Sequence, residues 1–187
     1  MIDRQQACTE AILQAARQMC LAAQTAPKAC GRDSVVSAVL TGGELARLAR
    51  RMEAVEEEHP GCTPIFRRDA ELVEKSAAVV LIGTLNQSRG LSPCGLCGHG
   101  SCAGMEAAGC RCAFDDVDLG IAVGSAVSVA ADLRVDNRVM YSAGIAAMEL
   151  GLLGPDVGTI LAIPLAWAPR SIFFTRTEKV FCQPGES

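Results

Sequence analysis

Aromatic side chains are scarce in this sequence, with five Phe, one Tyr and one Trp among 187 residues. Hydrophobic residues still make up 50% of the chain. The core therefore has to be built from Ala, Val, Leu and Ile, which bring backbones close together. Histidine is scarcer, with only His59 and His99. No His/carboxylate metal constellation, nucleophile–base triad or phosphate-cradling loop with its lysine is present. Long apolar runs are missing as well. The uncharged apolar-to-small run 119–131 is thirteen residues between Asp118 and Asp132, short of the roughly 20 needed to cross a bilayer. The opening MIDRQQACTE has no apolar stretch of the secretory kind. No membrane association is expected, and the protein is expected in the cytoplasm. Basic clusters are also lacking. The net charge is −4, and the arginines of 47–51 are followed at once by Glu53, Glu56, Glu57 and Glu58. This reads as a solvated helix face and excludes a nucleic-acid partner.

Cysteine is the exception. Ten occur, and five of them fall within the nineteen residues 94–112. In a reducing cytoplasm, crowded thiols are free or bind metal rather than pairing as disulfides. Thiolates are soft ligands, and a pair two residues apart reaches one metal from a single turn. Gly95, Gly98 and Gly100 let that turn adopt positive φ and approach the sulfurs closely. With Cys94, Cys97, Cys102 and Cys112 as ligands the spacing is C-x2-C-x4-C-x9-C. Zinc sites usually carry two separated pairs, whereas one pair with a third and a remote fourth cysteine reads as an iron–sulfur centre. Zinc and redox thiols are the alternatives. Cys110 competes with Cys112 as fourth ligand, since residues two apart in an extended segment point the same way. Cys112 is preferred because Ala113 and Phe114 beside it would shield a cluster from water. Cys8 and Cys20 read as small buried hydrophobes, and His59 and His99 as exposed loop residues, although His99 sits where it could tune a cluster.

Along the chain, apolar residues at helical spacing predict a helix over 7–23, broken near Pro27. A strand is expected over 34–40 and a helix over 44–58. A short helix follows over 69–76, and the apolar run 77–83 reads as a strand covered on both faces. Asp115, Asp116 and Asp118 precede a helix over 119–131, and Asp136-Asn137 cap another over 138–150. A strand over 159–166 is interrupted by Pro164, and a mixed arm with Phe173, Phe174 and Phe181 closes the chain. Small residues four apart, Gly120, Gly124 and Ser128 on one helix and Ala143, Ala147 and Gly151 on the next, predict that these helices pack together or across the axis of a homodimer. Arg138 either pairs with Asp136 or meets an anionic ligand. A single domain, 1–187, is expected, with 90–114 as an inserted cysteine loop.

The run CGLCGHGSC at 94–102 resembles the cluster loop of the 4Fe-4S domain in Rnf complex B subunits and corrinoid iron–sulfur proteins. Together with TAPKACGRD, FRRDA, DLGIAVGSAVS, DNRVMYSAG and ELGLL, nearly the whole chain resembles a family of bacterial and archaeal proteins described as containing a ferredoxin domain. In that family, as in Cys112-Ala113-Phe114, a cysteine stands just before a residue and an aromatic. The order of elements, through QTAPKACGRDSVVSAVLTGGELARLA, VVLIG, NRVMYSAGIAAMELGLL and TILAIPLAWAPR, is similar to the nitroreductase fold. That resemblance implies an α+β architecture with a mixed sheet, packed helices and FMN as a candidate cofactor. Nitroreductases hold the FMN phosphate on an Arg-Arg-Ser segment, where this chain has Asp3-Arg4-Gln5, so flavin is expected to be absent or weakly bound. Three functions are open: an electron-transfer protein carrying one 4Fe-4S cluster, a flavin-dependent reductase fed by it with Lys28 near the flavin, or a protein in which the metal only holds the loop. For Lys28 the alternative is an ordinary turn lysine.

Overall fold

The computed structural model describes residues 1–61 and 63–174. Cys62, Cys182 and the part of the expected arm that holds Phe181 lie outside them. Four strands form one sheet in the order β1 (Val35–Leu40), β2 (Ala78–Leu85), β4 (Val157–Ala166), β3 (Asp136–Asn137). A mixed sheet was expected, and all pairings among the described residues are antiparallel.

The central strand β2 sets the layering. Its side chains alternate between the faces of the sheet, as pleated backbone requires, and Ala78 to Ile82 are all fully buried. Val79 and Leu81 join a core with α2 (Gly43–Glu58), α3 (Phe66–Glu74) and α6 (Tyr141–Glu149), whose residues include Leu48, Met52, Val73 and Ala146. Ala78, Val80 and Ile82 join a second core with α1 (Arg4–Thr25) and α5 (Ala113–Asp132), through Ile12, Met19, Leu119 and Ala126. The expected apolar strand covered on both faces is thus present, with helices on each side.

Several boundaries differ from expectation for identifiable reasons. Helix α1 starts earlier, at Arg4, because the Asp3 carboxylate accepts from the Gln6 amide at 2.8 Å and caps it. Helix α5 starts at Ala113, so the three aspartates lie within its first turns rather than before them. Asp136 and Asn137 do not cap a helix. They form β3 against Ala166 and Leu165, and α6 begins only at Tyr141. Pro164 does not interrupt β4. Ala162, two residues earlier, exchanges bonds with Met140 on the β3 side, so the missing proline N–H also faces that short edge and not β2.

The two rows of small residues are separated by the sheet and do not pack together. Ala143 and Ala147 are fully buried within the chain, whereas Gly120, Gly124 and Ser128 lie on the exposed face of α5. Helix α6 approaches β4 so closely that a Cβ on Gly144 would stand 2.0 Å from the Ile160 carbonyl oxygen. Backbone cannot yield as a side-chain tip does. Gly144→Ala is therefore expected to cost about 1–3 kcal/mol or more of stability. Chemical denaturation of the two proteins, read by circular dichroism, checks this.

Candidate metal centre

The cysteine loop leaves the C-terminal end of β2 and returns at the N-terminus of α5. Gly98 and Gly100 take φ of +83° and +71°, a region that carries no penalty for glycine alone, and the Gly98 amide donates to the Gly95 carbonyl at 2.9 Å. Ser101 then caps the short helix α4 (Cys102–Ala107) through the Gly104 amide. Gly104 is pressed against the loop, since a Cβ there would lie 2.6 Å from the His99 carbonyl oxygen. His99 itself is exposed, and so is His59.

Cys94, Cys97 and Cys102 are half-buried on this loop, and Cys112 is buried as the N-cap residue of α5. Cys110 is exposed. Arg111 stands between them. Its guanidinium reaches the start of β4, donating to the Gly158 carbonyl and the Thr159 hydroxyl and pairing with Asp116 at 2.8 Å. Among the described residues, no three His, Cys, Asp or Glu side chains stand together as a metal-holding group. The donor set nevertheless suits iron: the four thiols are uncrosslinked, and the buried one lies at a helix N-terminus, whose dipole favours an anionic sulfur. Cys8 and Cys20 are half-buried on α1, and Cys30 is exposed. Burial pushes the Cys20 thiol up, as packing within a helix face would.

Between the entry of the loop at 87–89 and the first turns of α5 lies a polar knot that periodicity and motif spacing gave little reason to single out. Arg89 is only 2% exposed. Its Nη2 donates to Asp118 and to the Ser34 hydroxyl at 2.8 Å each and stands 3.0 Å from Asp115, while Nη1 donates to the Gln87 carbonyl. Asp118 also accepts from the Ala29 amide, Asp115 from the Gln87 amide, and Arg32 donates to the Ser88 carbonyl. The stretch 87–89 is thereby fastened to the first turns of α5 and to the 28–34 segment. Burial works against the Arg89 charge, but Asp118, Asp115 and the Cys112 sulfur outweigh it and hold its pKa above the usual value. Asp115 is less well served. Its Oδ1 meets the guanidinium without hydrogen-bond alignment, and burial pushes its carboxyl up against the opposing pull of Arg89. Asp115 and Asp118, three apart on one helix face, were the available sequence signal, with a lone arginine following an apolar strand.

Lys28 is engaged locally. Its ammonium donates to the carbonyls of Ala23, Gln24 and Ala26, at and just beyond the C-terminal end of α1. Arg138 pairs with neither Asp136 nor another carboxylate in its described contacts. It donates to the Phe173 carbonyl and lies 5.7 Å from the Phe174 ring, while Asp136 accepts from Ser171.

Residues 108–176 match the family model described as "Uncharacterized protein containing a ferredoxin domain". The matched stretch holds Cys110 and Cys112 and begins after the 94–102 run. An uncharacterized protein of Archaeoglobus fulgidus is 39% identical over 178 residues, covering 91% of this chain and 94% of its own. A nitroreductase with bound FMN from Desulfitobacterium hafniense superposes with a TM-score of 0.60 at 16% identity, over 84% of this chain and 78% of its own. A second, from Bacteroides fragilis and also with bound FMN, gives 0.58 at 10% identity over 93% and 87%. The fold is thus nitroreductase-like.

If Lys28 serves only the end of α1, Lys28→Met should lower stability by about 0.3–1 kcal/mol and leave any FMN titration unchanged. Thermal unfolding and flavin fluorescence on the same two samples check both halves.

Proposed function

Because the chain belongs to the family of proteins containing a ferredoxin domain, we propose that it is an iron–sulfur protein. In this reading Cys94, Cys97, Cys102 and Cys112 hold one 4Fe-4S cluster, which supplies one-electron transfer between redox partners. The observation that carries the reading is the position of Cys112, the buried N-cap of α5, at the far end of the loop that carries the three half-buried thiols. Binding would require the loop to close further toward Cys112, and coupling of this kind between ligand ordering and metal is usual. Met105 and Phe114, buried and half-buried beside the cysteines, would keep water from the sulfurs, which along with hydrogen bonding sets a cluster's potential.

Protein purified without oxygen should be brown and contain iron and acid-labile sulfide in equal amounts. Stoichiometric zinc with neither would overturn the reading. Cys112→Ser should lose or convert the cluster, while Cys110→Ser should keep iron content and spectrum nearly unchanged. The reverse result would exchange their roles.

A flavin-dependent reductase fed by the cluster is the second reading. It is favoured by one observation, the fold shared with nitroreductases that bind FMN. A fold does not fix a function. Asp3, Arg4 and Gln5 offer no basic pair for a phosphate, and Asp3 is occupied in capping α1. Tight FMN in the purified protein would promote this reading over the first.

Assembly as a homodimer belongs to the same proposal. Helix α5 is apolar nearly all round, and such helices are normally covered on every side. Yet Val117 and Ile121 are 45% and 42% exposed, and Cβ positions built on Gly120 and Gly124 meet nothing within 4 Å. A second copy laid across this face would cover it. Sedimentation should give a dimer for the native chain and a monomer for Ile121→Glu. Monomers in both would remove the proposal.

A further inference from the structure

We propose that Arg89 is the positioning residue of the cysteine centre, an assignment that rests on the iron–sulfur reading: its buried guanidinium ties the entry of the cysteine loop to the helix capped by Cys112 and places a positive charge at the foot of that helix.

The geometry of the tie is specific. Residue 89 lies five positions before Cys94, on the strand side of the loop, whereas Asp115 and Asp118 lie three and six positions after Cys112, on the helix side. One guanidinium joins the two sides through Asp118 at 2.8 Å and Asp115 at 3.0 Å. The same group reaches back to Ser34 beside β1. The loop's two ends are therefore held by a single side chain that is not itself a ligand. Surface ion pairs contribute little, but removing one partner from a buried set is costly, because the remaining charge is stranded. Arg89 is 1% exposed at its side chain, and Asp115 and Asp118 are 1% and 2%, so the tie belongs to the second class.

Position and charge give separate consequences. Without the tie, the 86–94 segment and the first turn of α5 lose their common anchor, and Cys112 becomes accessible through local opening. Without the positive charge, the reduced state of a cluster beside Cys112 loses a stabilising neighbour, and the potential falls.

The test uses the full chain and compares Asp118→Asn with Asp118→Asn/Arg89→Met, a pair that differs in Arg89 alone and strands one carboxylate fewer than Arg89→Met. In metal-free protein, alkylation of Cys112 by iodoacetamide, followed by peptide mass spectrometry, should be about tenfold or more faster in the double variant. Amides of 86–94 should exchange faster, while those of β2 stay slow and show that the sheet is intact. After anaerobic reconstitution the double variant should have the more negative midpoint potential, which a merely structural role would not produce. Equal alkylation rates, or equal potentials, would overturn the assignment. If the double variant does not fold, Arg89→Lys in the same background replaces it: the fork is lost and the charge kept, so alkylation should accelerate while the potential stays. Equal alkylation in that variant also overturns it. Should the parent chain take up no iron, the iron–sulfur reading fails by itself and the alkylation rates alone decide the role of Arg89.

Discussion

Burial of β2 on both faces is the constraint from which the rest of the architecture follows. Five consecutive side chains, Ala78 to Ile82, see no water, so each must find apolar partners above or below the sheet. This demand places α2, α3 and α6 on one side and α1 and α5 on the other. It also disfavours polar side chains along 78–82, where an unpaired polar group would have no compensation. A set of buried charged side chains gathers instead beyond the strand's C-terminal end. The C-terminal end is where the cysteine loop departs.

The change from apolar to polar at that end is abrupt. Ile82 is core, Thr84 is fully buried with no hydrogen-bond partner for its hydroxyl among the described residues, and Arg89 is buried among carboxylates. A sheet of small apolar residues supplies no dipoles to balance a buried guanidinium. The balance comes from α5, which turns Asp115 and Asp118 inward on one face, and from segment 28–34, which supplies Ser34 and the Ala29 amide. Three pieces of chain distant in sequence are thereby fixed relative to one another where the cysteine loop leaves and returns. The outer pair, Arg111 with Asp116, does the same for the exit of the loop against β4, but at partly exposed positions where an ion pair is worth less.

Much of this was legible in the sequence where a pattern repeats. The i, i+3, i+4 spacing in 7–23 marked α1, the unbroken run 77–83 marked β2, and C-x2-C marked the loop, because each reports a periodic or local demand. Single contacts were not legible. Asp136-Asn137 has the composition of a helix cap, and only the edge of β4, brought close by folding, makes it a strand. Pro164 looked like a break because sequence does not say which way a missing N–H points. The row Ala143, Ala147 looked like the row Gly120, Gly124, and the sheet between them decides that the first is core and the second is surface. Arg89 was hard to single out for the same reason: little that is local distinguishes a buried arginine from a solvated one until its two aspartates arrive from α5.

Charge at the foot of α5 gives the last step. The N-terminal dipole of this helix is worth about half a positive charge, and Cys112 stands at its N-cap with no side-chain hydrogen bond of its own. Arg89 adds a full positive charge near the foot of the helix, held by Asp118 at 2.8 Å and Asp115 at 3.0 Å. Asp115 stands in the first turn of the helix and Asp118 in the second, whereas the sulfur sits at the N-cap. The arrangement therefore separates two tasks. The carboxylates keep the guanidinium stable in the interior, and the helix end remains available to an anionic sulfur. The two carboxylates turned inward on one face of α5 answer to the buried guanidinium, whose charge would otherwise be stranded in the interior.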